Sequence, residues 1–330
     1  MTPSSVVLKL SGSLNASRPA APNKMNIDGI LNLNKPGGRT SFSMVSWLRR
    51  ITGEKRIGHA GTLDPIATGV LPVCFGQATR VVQFIVGTSK TYLAEIELGT
   101  ATDTFDREGK IIQRDNPDNI TPDLIRQSLA SFEGTIEQVP PAYSALKHRG
   151  SRAYELARAG MPVIPKPRWV EITSLELIDC QLPTITVKVE CSKGTYVRSL
   201  AHDLGQYLGC GAHLKNLTRL RCGPFFIEEA LAPHQIEDAV QQGTFEELLS
   251  PVDSPLLHWK AVVVSESREL AIRNGASLPL GEADVPSGKY CRAYDLQGHF
   301  IALLRFIPEK RLWHPEKVFP VQRFPCCQVP

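Results

Sequence analysis

The run GHAGTLDPIATGVLP, residues 58–72, packs three glycines, two prolines and a single acid into fifteen positions. Gly58, Gly61 and Gly69 permit positive φ and close backbone approach. Pro65 restricts the backbone of Asp64 and so narrows the directions its carboxylate can take. One carboxylate in such a loop, with Lys55, Arg56 and His59 close in sequence, is a candidate nucleophile or base. A turn or helix-capping aspartate fits the same spacing. The run then passes into an apolar stretch, residues 70–75, which reads as buried.

Working outward, residues 30–33 form a short predicted strand, and the turn Lys35-Pro36-Gly37-Gly38 follows it. Thr40 or Ser41 caps a helix carrying Val45, Leu48 and Ile51. Residues 53–65 read as a loop and 78–86 as a helix. Residues 91–98 alternate, with Tyr92, Ala94, Ile96 and Leu98 on the apolar face of a half-buried strand. Residues 99–119 are loop-like, and 122–129 a short helix. Strands are predicted over 170–177, 185–191 and 214–221, a helix over 196–208 and helical pieces over 234–250. A linker around 250–254 leads to short strands and one helix (266–274) within 259–325, the texture of a small β-barrel. Helices are not placed between every pair of strands. The fold class is therefore α+β, with a mixed, largely antiparallel sheet, rather than a doubly wound parallel one.

Composition narrows the function. The 330 residues carry 37 Lys+Arg against 33 Asp+Glu, a formal charge of +4, with 42% hydrophobic and 21% charged residues. That balance is globular and excludes wholesale disorder, collagen-like and coiled-coil chains. No apolar run approaches the ~18 residues of a membrane span. Eight cysteines, at 74, 180, 191, 210, 222, 291, 326 and 327, form no C-x-x-C pair; they read as small buried hydrophobes rather than zinc ligands or redox sites. Phosphate-loop, dinucleotide-binding, G-x-S-x-G and H-E-x-x-H signatures are missing, so no metal and no organic cofactor is expected. Residues 1–27 hold no acid and read as a flexible extension, a transit-type peptide or residues ahead of a start at Met25. Basic residues cluster over 143–168, where Lys147, Arg149, Arg152, Arg158, Lys166 and Arg168 face one acid, Glu155. This is the strongest expected footprint for nucleic acid, with Lys55, Arg56, Lys215, Arg219 and Arg221 as further candidates.

Residues 58–72 resemble the catalytic motif of the bacterial tRNA pseudouridine synthase B family, TruB. Other blocks resemble the family in the same order: Leu31-Asn32-Leu33-Asn34-Lys35-Pro36, Lys90-Thr91-Tyr92, the block at 139–147, Gly194-Thr195-Tyr196-Val197-Arg198-Ser199-Leu200, residues 209–214, and Leu217-Thr218-Arg219-Leu220. Together they span about residues 28–250. The remainder resembles, more weakly, the family's small RNA-binding barrel of PUA type. The implied domains are an extension (1–27), a pseudouridine synthase catalytic domain (28–254) and a PUA-like domain (255–330).

The resemblance implies an isomerase acting on uridine 55 in the T stem-loop of tRNA, cleaving the glycosidic bond and re-forming it through carbon without a cofactor. It implies Asp64 as the catalytic carboxylate, either attacking the sugar carbon or removing a sugar proton. Arg198 would pair with Asp64 through a two-pronged bond, and Tyr92 would stack on the target base. His59 would fill the gap left by the flipped base. Leu217 and Tyr196 would line the pocket. Lys35 would contact phosphate or support the Asp64 loop. Tyr92, Tyr196 and Leu217 also suit core positions, and Arg198 a surface helix. Thr218 stands where relatives commonly have arginine. The expected protein is a cytoplasmic monomer without membrane contact or an obligatory protein partner. An RNA-folding module without chemistry, or a guide-dependent synthase, would use the same basic surface.

Overall fold

The structure, a computed structural model, describes residues 27–143, 147–148, 151–152, 165–279 and 288–320. The expectations for residues 1–26, for Arg149, Glu155 and Arg158, and for Cys326 and Cys327 lie outside the described residues. Strand β1 (Gly29–Lys35) leads into helix α1 (Ser41–Thr52), whose N-cap Thr40 side chain accepts from the Ser43 N–H. Strands β2 (Ile57–His59) and β3 (Thr68–Phe75) flank the Asp64 loop. Helix α2 (Val82–Val86) and strand β4 (Lys90–Leu98) follow, then a hairpin of β5 (Thr100–Thr102) and β6 (Ile111–Arg114). After α3 (Pro122–Ala130) come β7 (Gly134–Gln138) and the two-residue strands β8 (Lys147–His148) and β9 (Ser151–Arg152). Strands β10 (Arg168–Gln181) and β11 (Thr184–Cys191) precede α4 (Val197–Tyr207) and β12 (Ala212–Cys222).

The central sheet runs β1-β3-β12-β4-β11-β10-β7, with β2 on β3 and the short β13 (Phe225–Phe226) on β12. Its pairings are antiparallel except β12 against β3. The sheet is thus mixed and largely antiparallel, as the irregular spacing of helices suggested. Both faces of β1 and β3 are covered; β3 reads as a nearly continuous apolar run, whereas β1 buries Asn32 and Lys35 among its apolar residues. In β4 one face is buried, and the buried residues Ala94, Ile96 and Leu98 alternate with half-buried neighbours. Helix α4 lies close against the start of β12. A Cβ on Gly205 would stand 2.1 Å from the Ala212 nitrogen, so glycine is required at that contact.

Three local expectations need correction. The stretch 53–65 holds β2, because residues 57–59 find the free edge of β3. The stretch 78–86 divides into a 3-10 turn (Gly76–Arg80) and the short α2. The stretch 99–119 contains the β5–β6 hairpin, whose register lies in backbone pairing rather than in an apolar pattern.

Residues 250–254 are not an open linker. Ser250 exchanges two backbone hydrogen bonds with Ile30, both 2.9 Å. Val252 and Asp253 are buried. Helix α5 (Pro233–Gln242) precedes this segment. Beyond it lie β14 (Ala261–Val263), α6 (Glu266–Arg273), β15 (Leu278–Pro279), β16 (Tyr290–Tyr294), β17 (Phe300–Ile307) and β18 (Leu312–Val318). They form a sheet ordered β14-β16-β17-β18-β15. Among the described residues this sheet is open rather than the expected closed barrel. Tyr294, Phe300, Leu303 and Phe319 share one core with Ile30, Val70 and Cys74.

Candidate active site

The Asp64 loop, residues 60–67, is fixed through its backbone. Ser41, the first residue of α1, accepts from the Leu63 N–H (2.9 Å) and donates to the Leu63 carbonyl (3.2 Å). The Gly38 N–H donates to the Pro65 carbonyl (2.9 Å), and the Ala67 N–H to that of Asp64 (3.1 Å). Leu63, Ile66 and Ala67 are buried. The loop is thus held on both sides of Asp64, whose side chain stays 36% exposed.

Arg198 meets that carboxylate from the first turn of α4. Its Nη2 donates to Asp64 Oδ1 (3.3 Å), and its Nε lies 2.9 Å from Oδ2. The Nε contact is an ion pair without hydrogen-bond alignment. Nη1 donates to Asp106 Oδ2 (3.1 Å) and the Thr104 carbonyl (3.4 Å), and Nη2 also donates to the Tyr143 carbonyl (3.0 Å). One buried guanidinium therefore serves two carboxylates. Asp106 also accepts from the Thr104 hydroxyl (2.7 Å) and the Glu108 N–H (3.1 Å). Sequence reasoning missed Asp106. It stands among Asp103, Thr104 and Gly109 in a stretch read as loop, and its partner lies 92 residues away.

Tyr92 sits opposite Arg219 on neighbouring strands. Burial pushes its hydroxyl up to about 12, against the pull of the Arg219 guanidinium, so it keeps its proton at neutral pH. His59 ends β2. Burial, with Arg219 adding to it, holds its ring below the usual histidine range, so it is neutral at pH 7. Leu217 is buried in the main core beside Ala94. Tyr196 caps α4 and stacks under Arg168, whose guanidinium carbon lies 4.5 Å from the ring centroid. Its backbone is clasped by the Gln138 side chain, at 2.8 and 3.0 Å.

Lys35 takes the loop-supporting one of its two expected roles, and Arg219 lies away from the surface where an RNA contact was expected. Lys35 is fully buried, and its ammonium donates to the carbonyls of Pro36 (2.9 Å), Arg39 (2.6 Å) and Pro65 (3.3 Å). It braces the Asp64 loop and has no open side for a phosphate. Arg219 is 1% exposed, because β12 lies inside the sheet between β3 and β4. Lys215 and Arg221 pair with Glu97 and Glu190, whereas Lys55 and Arg56 are exposed. Thr218 shares a hydroxyl hydrogen bond with Thr68 (2.9 Å). Among the described residues, no three His, Cys, Asp or Glu side chains gather as a set that could hold a metal ion, and no helix is long and apolar enough to cross a membrane.

Chemically, the arrangement offers a half-exposed carboxylate aimed by a buried cation, a protonated tyrosine and a neutral imidazole. Residues 49–197 match the TruB family pseudouridylate synthase N-terminal domain, and residues 198–257 the tRNA pseudouridylate synthase B C-terminal domain. The chain is 45% identical over 294 residues to the tRNA pseudouridine synthase B of Dehalococcoides mccartyi, covering 89% of this chain and 97% of that protein. It is 41% identical to its namesake in Pseudomonas aeruginosa, covering 85% and 92%. Among solved structures it is similar to a Cbf5-Nop10-Gar1 complex chain (TM-score 0.67, 28% identity, 89% and 84% covered). It is also similar to a chain of an H/ACA RNP bound to a substrate RNA (TM-score 0.68, 26% identity, 92% of each covered).

Proposed function

The chain belongs to the TruB family of pseudouridylate synthases, and from that premise we propose how its residues convert uridine 55 in the tRNA T loop to pseudouridine. The protein is a tRNA pseudouridine synthase, an isomerase. The bond from ribose C1′ to uracil N1 breaks, the detached base rotates, and C1′ bonds to C5. The C5 proton leaves and N1 gains one, so atoms balance without an oxidant or a second substrate.

Asp64 is the catalytic carboxylate in this reading. It attacks C1′ directly, or takes a proton from the sugar to give a glycal. The observation that carries the assignment is its pairing with buried Arg198 at the tip of a loop fixed through its backbone. A carboxylate leaving water tends to take up a proton, and a nearby cation opposes this. Arg198 supplies a cation beside Asp64 as RNA closes over it, and divides its attraction between Asp64 and Asp106. Tyr92 stacks on the detached base, Leu217 and Tyr196 line the pocket, and the flat neutral ring of His59 fills the gap of the flipped uridine.

Residues 255–330 act as a PUA-like RNA-binding unit, and the chain works as a cytoplasmic monomer without a partner protein. The test incubates purified protein and Asp64→Asn with unmodified tRNA transcript, without metal or guide RNA, and maps pseudouridine at single-nucleotide resolution. Modification at uridine 55, lost in Asp64→Asn with tRNA binding kept, is expected. Binding without modification by the unmutated protein would favour an RNA-folding module or a guide-dependent substrate instead.

A further inference from the structure

Arg219 heads the fully buried side chains by volume. A charge so placed costs stability unless it is well bonded, and an apolar residue of similar size often serves a core better. Its bonding partners are specific. Nε donates to the Val70 carbonyl (2.6 Å), and Nη2 to the Gly61 carbonyl (3.1 Å). Gly61 lies in the arm that enters the Asp64 turn, and Val70 lies in the arm that leaves it. The guanidinium also faces the Tyr92 hydroxyl. Among the described residues no carboxylate forms an ion pair with Arg219, so its charge is left unbalanced at the base of the site. Lys35 and His59 both feel that charge.

The backbone is built for this contact. Gly69 pairs with Arg219 across the one parallel seam of the sheet, with φ +95°, and a Cβ there would stand 2.3 Å from the Arg219 carbonyl oxygen. Tyr92 pairs with Arg219 on the other side. A single side chain thus ties both arms of the Asp64 loop to the strand that carries Tyr92.

We infer that Arg219 is a positioning residue for the isomerisation: it sets the Asp64 loop against Tyr92 and makes no contact with RNA. This rests on the function proposed above. Bonds to both arms prevent the loop from shifting relative to the tyrosine. A misplacement of about 1 Å in such a constellation costs about 100-fold in rate.

The experiment compares the unmutated protein with Arg219→Met and Arg219→Lys. Methionine keeps bulk and loses every donor; lysine keeps charge and can reach only part of the bonding set. Each is assayed for pseudouridine formation at saturating tRNA, KM, tRNA binding and melting temperature, with Asp64→Asn as the inactive control. The expected result is a folded Arg219→Met about 100-fold slower at saturation, with KM and tRNA binding unchanged and Arg219→Lys recovering part of the rate. Full rate in Arg219→Met, or a defect confined to tRNA binding, overturns the inference. Should the methionine variant not fold, the lysine variant decides. Folded and slowed, it supports the inference; fully active, or itself unfolded, it overturns it. An unmutated protein that forms no pseudouridine would instead sink the functional reading, and the positioning role with it.

Discussion

Arg198 approaches Asp64 unevenly: Nη2 donates to Oδ1 at 3.3 Å, while Nε lies nearer to Oδ2, at 2.9 Å, without hydrogen-bond alignment. The carboxylate is therefore held by charge more than by direction. Contacts of this kind tighten when substrate closes a site. The remaining donors of Arg198 are spent on Asp106, Thr104 and Tyr143, which fix the guanidinium itself.

Arg198→Lys tests whether that fixed plane matters beyond its charge. An ammonium can reach one carboxylate but cannot span two carboxylates and two carbonyls. The expected rate at saturating tRNA falls about 100-fold, with tRNA binding retained and stability lowered by about 1–3 kcal/mol as buried acceptors lose partners. Single-turnover kinetics and denaturant melts check both. A lysine variant at the unmutated rate would reduce Arg198 to a counter-charge.

Asp106→Asn tests the sharing of that charge. The amide keeps oxygen for the Thr104 hydroxyl and the Glu108 N–H but gives up the negative charge. Arg198 then turns its full attraction on Asp64 and makes that carboxylate a poorer base and nucleophile. The expected loss is about tenfold in rate, about 1.4 kcal/mol of barrier, with tRNA binding unchanged. An increase in rate would show that Asp106 only competes for the arginine.

The legible features were those with local causes. Alternation marked β4, a capping threonine marked α1, and glycine and proline around Asp64 marked its loop. Arg198 was legible only through a whole motif, since one arginine on a helix carries no signal by itself. Asp106 was hidden because its significance lies in a partner 92 residues away. Arg219 was misplaced for a related reason, and Lys35 took the loop-supporting one of its two expected roles. Charge count favours the surface, yet each sits where the fold presents carbonyls to a buried cation, and only the packing of β1 and β12 reveals that. The closed C-terminal barrel was expected from strand texture, and strand texture does not say whether the two edges meet.

Lys35 gives a pH dependence with a definite sign. Burial pushes its ammonium down to about 8 from the ordinary 10.5; Asp64 opposes this and Arg219 adds to it. Between those two values the unfolded chain holds a proton that the folded chain has released. Stability from this group therefore rises with pH across that window; the gain is complete above 10.5 and is lost as pH falls through about 8. Stability of the unmutated protein minus that of Lys35→Met should climb from pH 8 to 10.5. A flat difference would place Lys35 in contact with water.

Gly69→Ala separates backbone strain from collision. Gly69 and Gly38 both have positive φ, +95° and +75°. A Cβ on Gly38 meets nothing within 4 Å, so Gly38→Ala suffers strain alone and should cost about 1–2 kcal/mol. A Cβ on Gly69 meets the Arg219 oxygen at 2.3 Å and its nitrogen at 2.9 Å. These are backbone atoms of a paired strand, so relief requires β3 and β12 to part at their parallel seam. The expected loss is larger, about 4 kcal/mol or more. The folded fraction should also be slow at saturating tRNA, since the same movement draws Val70 away from the Arg219 guanidinium. Denaturant melts of the two variants, with rates measured where each remains folded, check this. Equal losses would mean that the seam opens freely, and that the Asp64 loop owes its position to Ser41 and Lys35 rather than to the strand beside it.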